Sequence, residues 1–346
     1  MATESQGNIS HKDLARLANV TQPTVSRALD PSRCHLISPV TRQRITNLAR
    51  ELGFQPNIHA RRTRSKCSET ITLVIDDITI SSRSFYDFNR LNTLVTFEQI
   101  NGIIDGANES GFDVKFLPLY CRRDIDADSL SRRIGFPYSD GVLFLGFHYL
   151  RQLVTIIEQS HLPAVIAMAG AGNYASVNVD PLPGYRQLIA ELKRRGRGQI
   201  AFCGIDNREL AFQVFRHAAL RQAIALDGNG EATEVAEIYV HTLLDIRRQV
   251  EKLCREPNGV NALVCSSDSL ALNIRNELAY LNADSRFAVV GYAGEPQLDD
   301  LASITVPRYD ICRQAARILI ETIRTKKAPD CGQILIPSSL RLGSSL

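Results

Sequence analysis

The 346-residue sequence has no run approaching eighteen consecutive apolar residues. That excludes a single helix able to span a bilayer. The opening MATESQGNIS lacks the basic and apolar segments of a secretory leader, so the expectation is a soluble, cytoplasmic, membrane-free protein. The eight cysteines (Cys34, Cys67, Cys121, Cys203, Cys254, Cys265, Cys312 and Cys331) include no CxxC pair and no metal-like spacing. Neither a disulfide framework nor a metal site is therefore expected. GxGxxG and GxxxxGK[ST] are both missing, hence no nucleotide fingerprint. The seven histidines show no HExxH spacing. Asp76 and Asp77 are adjacent at a strand end, where neighbours point to opposite faces, so they do not make a paired acid. No group has an activating partner in view, and the chain is expected to be no enzyme and to need no cofactor.

Charge is present but unevenly placed. The formal net charge is +3 at pH 7. Residues 1–70 hold eleven Lys/Arg against five Asp/Glu, leaving 29 of the 40 Lys/Arg against 32 of the 37 Asp/Glu for the rest. A small basic head on a mildly acidic body indicates a head that meets a polyanion. Composition alone does not separate DNA from RNA or a membrane surface.

Within that head, Ser10 and Asp13 have capping-box spacing. Leu14, Ala15, Leu17 and Ala18 follow as an apolar stripe at helical period. Asn19 suits a left-handed helix end. Thr21 then caps a second helix, with Pro23 in the first turn where no N–H is needed. Val25, Ala28 and Leu29 face inward at i, i+3 and i+4. Ser38-Pro39 opens a third helix with the stripe Ile45, Leu48, Ala49 and Leu52, closed by Gly53. Two short helices across a tight turn form a helix-turn-helix, whose second helix enters the major groove. On that helix Gln22 and Arg27 suit bidentate contacts to adenine and guanine. Thr21, Thr24 and Ser26 carry short hydroxyls for phosphate oxygens. The plainer alternative is a capped surface helix packed on a neighbour; the basic excess and the third helix favour the nucleic-acid reading.

From residue 70 onward, short runs such as ITLVI, GVLFLG, QIAFCG, ALVCS and FAVVGY alternate with helix-length amphipathic stretches. Continuous apolar runs bounded by helices indicate buried parallel strands and a doubly wound α/β body. Ligands in such folds sit beyond the carboxyl ends of strands. Asp77, Asp180, Arg208, Ser267 and Asp268 occupy those places. For the Asp and Ser residues, capping of the next helix is the competing explanation.

The stretches HKDLARLANVTQPTVSRALD and VTRQRITNLARELGFQPNIHARR resemble the DNA-binding head of the lactose-repressor (LacI/GalR) family of bacterial transcription regulators. Asp13, Leu14, Ala15, Ala18, Val20, Thr21, Thr24, Val25, Ser26, Arg27 and Leu29 satisfy the family's head pattern, and Glu51, Leu52, Gly53, Phe54, Pro56 and Asn57 its E-L-G-[YF]-x-P-N segment. DGVLFLG, LPAVIA, VNVD, RGRGQIAFCG, NALVCSSDSLALNIRNEL, FAVVGYAGEP and ASITVPRYDICRQAARILIETI occur in the order of the family's sensor domain.

The resemblance implies an all-α helix-turn-helix head over 1–54 and a hinge over 55–69. It implies a periplasmic-binding-protein-like body over 70–346, made of two doubly wound parallel-sheet subdomains (about 70–180 with 308–330, and 181–307 with 331–346). Gln22, Pro23 and Arg27 fall where the family reads operator bases. Asn57, Ala60, Arg61, Arg62, Thr63 and Arg64 fall in its hinge, which enters the minor groove. Thr63 stands where the family inserts a leucine as a wedge; a solvated basic linker is the alternative. Three departures concern the effector. Ala293 replaces an Asp that often holds a sugar hydroxyl. The effector arginine aligns best with Arg208. A usual Arg near the C-terminus is Gly343. An insertion of about ten residues also lies after residue 78, over ISSRSFYDFNRLNT.

The resemblance thus implies a homodimeric, nucleoid-associated repressor. It would bind double-stranded DNA at a palindromic operator and respond to a small sugar-like effector through its body. The segments near 94–110 and 269–281 are the expected dimer helices. Two rivals are a DNA-binding regulator with no small-molecule effector or a protein effector, and a sugar-binding receptor in transport. The missing leader and the basic head count against the receptor.

Overall fold

The computed structural model describes residues 9–30, 33–54, 62, 66–76, 97–119, 133–135, 137–145, 161–169, 174–206, 211–228, 230–327 and 332–346. Two compact units emerge, Met1–Lys66 and Cys67–Leu346. The boundary falls inside the expected 55–69 hinge. Asp140 binds the segment after Lys66 to the body: its carboxylate accepts from Ser68 N at 2.8 Å and Cys67 Sγ at 3.2 Å.

The head unit has three helices, α1 (His11–Leu17), α2 (Gln22–Ala28) and α3 (Pro39–Glu51). Ser10 and Asp13 complete the capping box on α1, and Asn19 takes the left-handed conformation (φ 50°) that ends it. Leu14, Ala15, Ala18, Val25, Ala28, Ile45, Ala49 and Phe54 form one small core. Leu17 departs from the expected stripe: it is 54% exposed, one helical step outside the buried arc.

The body unit contains two six-stranded sheets. The first is built from β1 (Thr70–Asp76), β2 (Asp113–Leu119), β3 (Gly141–Leu145), β4 (Ala164–Ala167), β5 (Ser176–Asp180) and β11 (Gln333–Pro337). Its order is β11-β5-β4-β3-β1-β2, parallel throughout. The second uses β6 (Gln199–Ile205), β7 (Thr233–Val240), β8 (Ala262–Cys265), β9 (Ala288–Ala293), β10 (Ala302–Thr305) and β12 (Ser339–Arg341). Its order is β12-β10-β9-β8-β6-β7, with β12 alone antiparallel. Strands such as β3, β8 and β9 are buried along their whole length, as apolar runs in parallel sheets require.

Helix α4 (Phe97–Asn108) packs on the first sheet's side with α9 (Arg308–Thr325), while α5 (Leu182–Arg194), α6 (Ala211–Asp227), α7 (Leu243–Arg255) and α8 (Asp268–Tyr280) belong with the second. Gly102 and Gly106 let α4 lie directly on the backbone of Tyr309 and Arg313 in α9, where a Cβ would collide. One subdomain expectation needs correcting. Residues 331–346 do not all join the second subdomain: Gln333–Pro337 pairs in parallel with Ser176–Asp180 in the first sheet, and only the strand after Ser338 joins the second. The reason is local. Ser338 N donates to Asp180 O at 2.9 Å, and Ser338 Oγ accepts from Gly184 N at 3.1 Å, so the final crossing is tied to the first.

Candidate nucleic-acid interface and ligand cleft

In the head, the sequence of α2 sorts its side chains by period. Val25 and Ala28 are buried; Gln22, Pro23, Ser26 and Arg27 are exposed together. The Thr21 hydroxyl accepts from Thr24 N at 3.4 Å and lies 2.9 Å from the Thr24 hydroxyl, so this pair caps the helix. The long polar groups left for a partner are Gln22 and Arg27. Of the expected hinge residues, Arg62 is half-buried and helical. Asn57, Ala60, Arg61, Thr63 and Arg64 lie outside the described residues.

In the body, the chain crosses between sheets after β5, after β10 and after β11. All three crossings leave strand carboxyl ends, so the carboxyl edges of both sheets meet there. Asp77 and Arg208 lie outside the described residues, as does the 80–93 insertion. Asp180 Oδ1 accepts from Leu182 N at 3.0 Å and turns the chain into α5. Ser267 caps α8 through Leu270 N at 3.2 Å. Asp268 is fully buried. Its carboxylate accepts from Glu295 N at 2.7 Å and from the Ser303 hydroxyl at 2.5 Å. Gly291 opposite leaves it room, since a Cβ there would strike Asp268. The polar atoms of all three side chains are bonded within the fold, Asp180 and Ser267 at helix starts and Asp268 to the distant Glu295 and Ser303. Ala293 is buried at the end of β9 with φ 126°, followed by Gly294 at φ 72°. Gly343 is forced by packing: a Cβ would strike the backbone of Asp300, Leu301 and Ala302. Arg341 instead clamps this stretch, donating to the carbonyls of Glu295 (3.0 Å) and Leu298 (2.6 Å).

Three features escape the sequence reading. Arg216 on α6 lies with its guanidinium 4.0 Å from the Tyr292 ring centroid and 4.8 Å from that of Phe212, and donates to the Ser266 carbonyl at 2.5 Å. Burial holds its pKa below the usual arginine value. Its signal was an arginine within the apolar stripe Phe212, Ala219, Leu220 and Ala223. Second, Tyr185 and Tyr292 lie near each other beneath it, ring centroids 6.0 Å apart. Third, Arg308 and Glu295 form an ion pair at 2.6 Å, their side chains 7% and 4% exposed, with Glu98 at 3.7 Å from Arg308.

Elsewhere, His217 stacks on Phe202 at 4.0 Å and lies 2.9 Å from Glu234. His217, Glu234 and Glu237 have ligand-like spacing. Arg221 bonds both glutamates and supplies the positive charge, so the group reads as an ion-pair network. Among the described residues no helix is long and apolar enough to cross a membrane.

A helix-turn-helix unit joined to a two-sheet body, with polar groups at the meeting of its strand ends, defines a DNA-binding regulator with a sensor-type body. Comparison with known proteins agrees. Residues 10–57 match the model for bacterial regulatory proteins of the lacI family, and residues 189–346 that for a periplasmic binding protein-like domain. The chain is 24% identical to catabolite control protein A of Priestia megaterium, covering 98% of this chain and 99% of that one. It is 25% identical to the HTH-type transcriptional regulator TreR of Escherichia coli, covering 97% and 99%. A solved structure of the lac repressor dimer bound to operator and the anti-inducer ONPF matches with TM-score 0.68 at 16% identity, covering 98% and 99%. A complex of the transcriptional regulator CelR with cellobiose matches with TM-score 0.61 at 22% identity, covering 98% and 100%. The chain thus joins a helix-turn-helix domain of the lacI family of bacterial regulatory proteins to a periplasmic binding protein-like domain, the arrangement of DNA-binding transcription regulators.

Proposed function

We propose that the chain is a homodimeric repressor that reads a palindromic operator with α2 and senses a neutral sugar-like metabolite in the cleft of its body. The observation that carries the DNA half is the exposed Gln22–Pro23–Ser26–Arg27 face on a capped, firmly packed helix. Gln22 and Arg27 supply base contacts. Ser26 and the Thr21–Thr24 cap lie toward phosphate. Asn57, Ala60, Arg61, Arg62, Thr63 and Arg64 form the minor-groove hinge. Thr63 is too short and polar to wedge as leucine does, so bending is small. Thr63→Leu should increase the bend in a circular-permutation gel; an unchanged bend contradicts this role.

Dimerisation runs through α4 and α8. Their inner faces are taken by the protein's own core, while Phe97 (84% exposed) and Tyr280 (71% exposed) remain for a partner. Ligand binding shifts one subdomain against the other and so the operator affinity. Relatives named for cellobiose and operator complexes support the sugar and DNA roles. Selection of bound duplexes from a random pool at physiological salt tests the reading: a two-fold symmetric consensus is expected, and absence of any consensus rejects it. A second reading, a regulator with no small-molecule effector, is favoured by Ala293 and by the internal use of Asp180, Ser267 and Asp268. Stabilisation by a saccharide would reject it.

A further inference from the structure

We infer that the Tyr185 hydroxyl is a ligand contact of the cleft, receiving a hydroxyl group of a neutral polyol between the Tyr185 and Tyr292 phenols and beside Arg216. The inference rests on the sugar-sensing reading and names a contact within it. Tyr185 stands in the first turns of α5, immediately past the crossing at Asp180, and is 0% exposed. Its hydroxyl has no hydrogen-bond partner among the described residues, and neither has that of Ser266, while the Tyr292 phenol has Arg216 beside it. A buried hydroxyl without a partner forfeits a bond it makes in water, and such groups in native folds call for an explanation. Here the two of them lie with the Tyr292 phenol around one arginine at the carboxyl edge of the second sheet, where this fold class holds its ligands.

The chemistry of the group selects the ligand. Burial pushes the pKa of both phenols up, which keeps them neutral, each able to donate and to accept. A ligand hydroxyl has the same double capacity, whereas an anion only accepts. The nearby charges are already engaged: Arg308 with Glu295, Asp268 with Glu295 N and Ser303, and Arg216 against the faces of Tyr292 and Phe212. Ala293 contributes no polar side chain at the end of β9, so recognition there falls to the phenols.

The test uses the full chain and Tyr185→Phe, with Tyr309→Phe as a control whose hydroxyl is bonded to Asp105, outside the cleft. Melting without ligand should show Tyr185→Phe as stable as the parent or more so. A drop of several degrees overturns the inference, because the hydroxyl would then already be bonded inside the fold. The second measurement adds glucose, galactose, maltose, trehalose, cellobiose, glucose 6-phosphate and glucuronate. The neutral saccharide that stabilises the parent should bind Tyr185→Phe at least about ten-fold more weakly and Tyr309→Phe equally well. Equal binding to parent and Tyr185→Phe overturns the contact and leaves sugar sensing standing. A response to the charged members alone overturns the neutral class. Silence across the panel overturns sugar sensing itself, and the contact with it.

Discussion

Arg308 and Glu295 meet at 2.6 Å with almost no solvent on either side chain. Breaking such a pair by removing one partner leaves a buried charge uncompensated, which costs about 3–5 kcal/mol. Burial raises the Glu295 carboxyl above its ordinary pKa while Arg308 opposes the rise; Asp268 and Glu98 add to it and Arg341 opposes it. A raised folded-state pKa means that the native state favours the protonated acid, so stability falls as pH rises through that pKa. In Arg308→Ala the opposing charge is gone and the carboxyl rises further. Denaturant unfolding should therefore show a loss that is modest in mild acid and grows toward neutrality; a loss independent of pH would contradict the pairing. Glu191 behaves oppositely. Hydrogen bonds from Arg194, then Arg195, hold its pKa down to about 2 from 4.5. Its contribution is present above pH 4.5 and is lost as pH falls toward about 2. Glu191→Gln should flatten the acid limb of Tm against pH.

The elements of the fold follow from local chemistry that the sequence displays. Ser10 with Asp13, Thr21, and Ser38-Pro39 announced the three head helices, and the apolar runs announced the parallel strands. Contacts between distant segments were hidden. Gln333–Pro337 reads as a short strand for either sheet; only its tie to Asp180 decides. Asp180, Ser267 and Asp268 looked equally like ligand contacts and caps, since an acid or hydroxyl beside a helix start serves both uses. Arg216 left a signal that the sequence reading passed over, a charge in an apolar stripe, but its Tyr185–Tyr292 floor left none, because it joins α5 to β9 across about a hundred residues of chain. The approach of α4 to α9 is another such contact. Gly102→Ala should force the helices apart, costing about 1–3 kcal/mol by overpacking. Thermal melting would reveal it, and an unchanged Tm would contradict the close approach.

At the scale of the molecule, a basic head reads DNA and a body of opposite charge balance carries the cleft. Phosphate contacts and base contacts separate by their response to mutation. Lys66→Ala should weaken every duplex alike and lower the salt slope by about one. In the proposed function Arg27 reads bases together with Gln22. The most direct measurement is the affinity of parent and Arg27→Ala for the selected operator and for a scrambled duplex of the same composition, at physiological salt. A loss of about 1–3 kcal/mol on the operator, with little change on the scrambled duplex and relaxed preference at one base pair, is the predicted result. Equal operator affinity for the two proteins would contradict the placement of α2 in the groove.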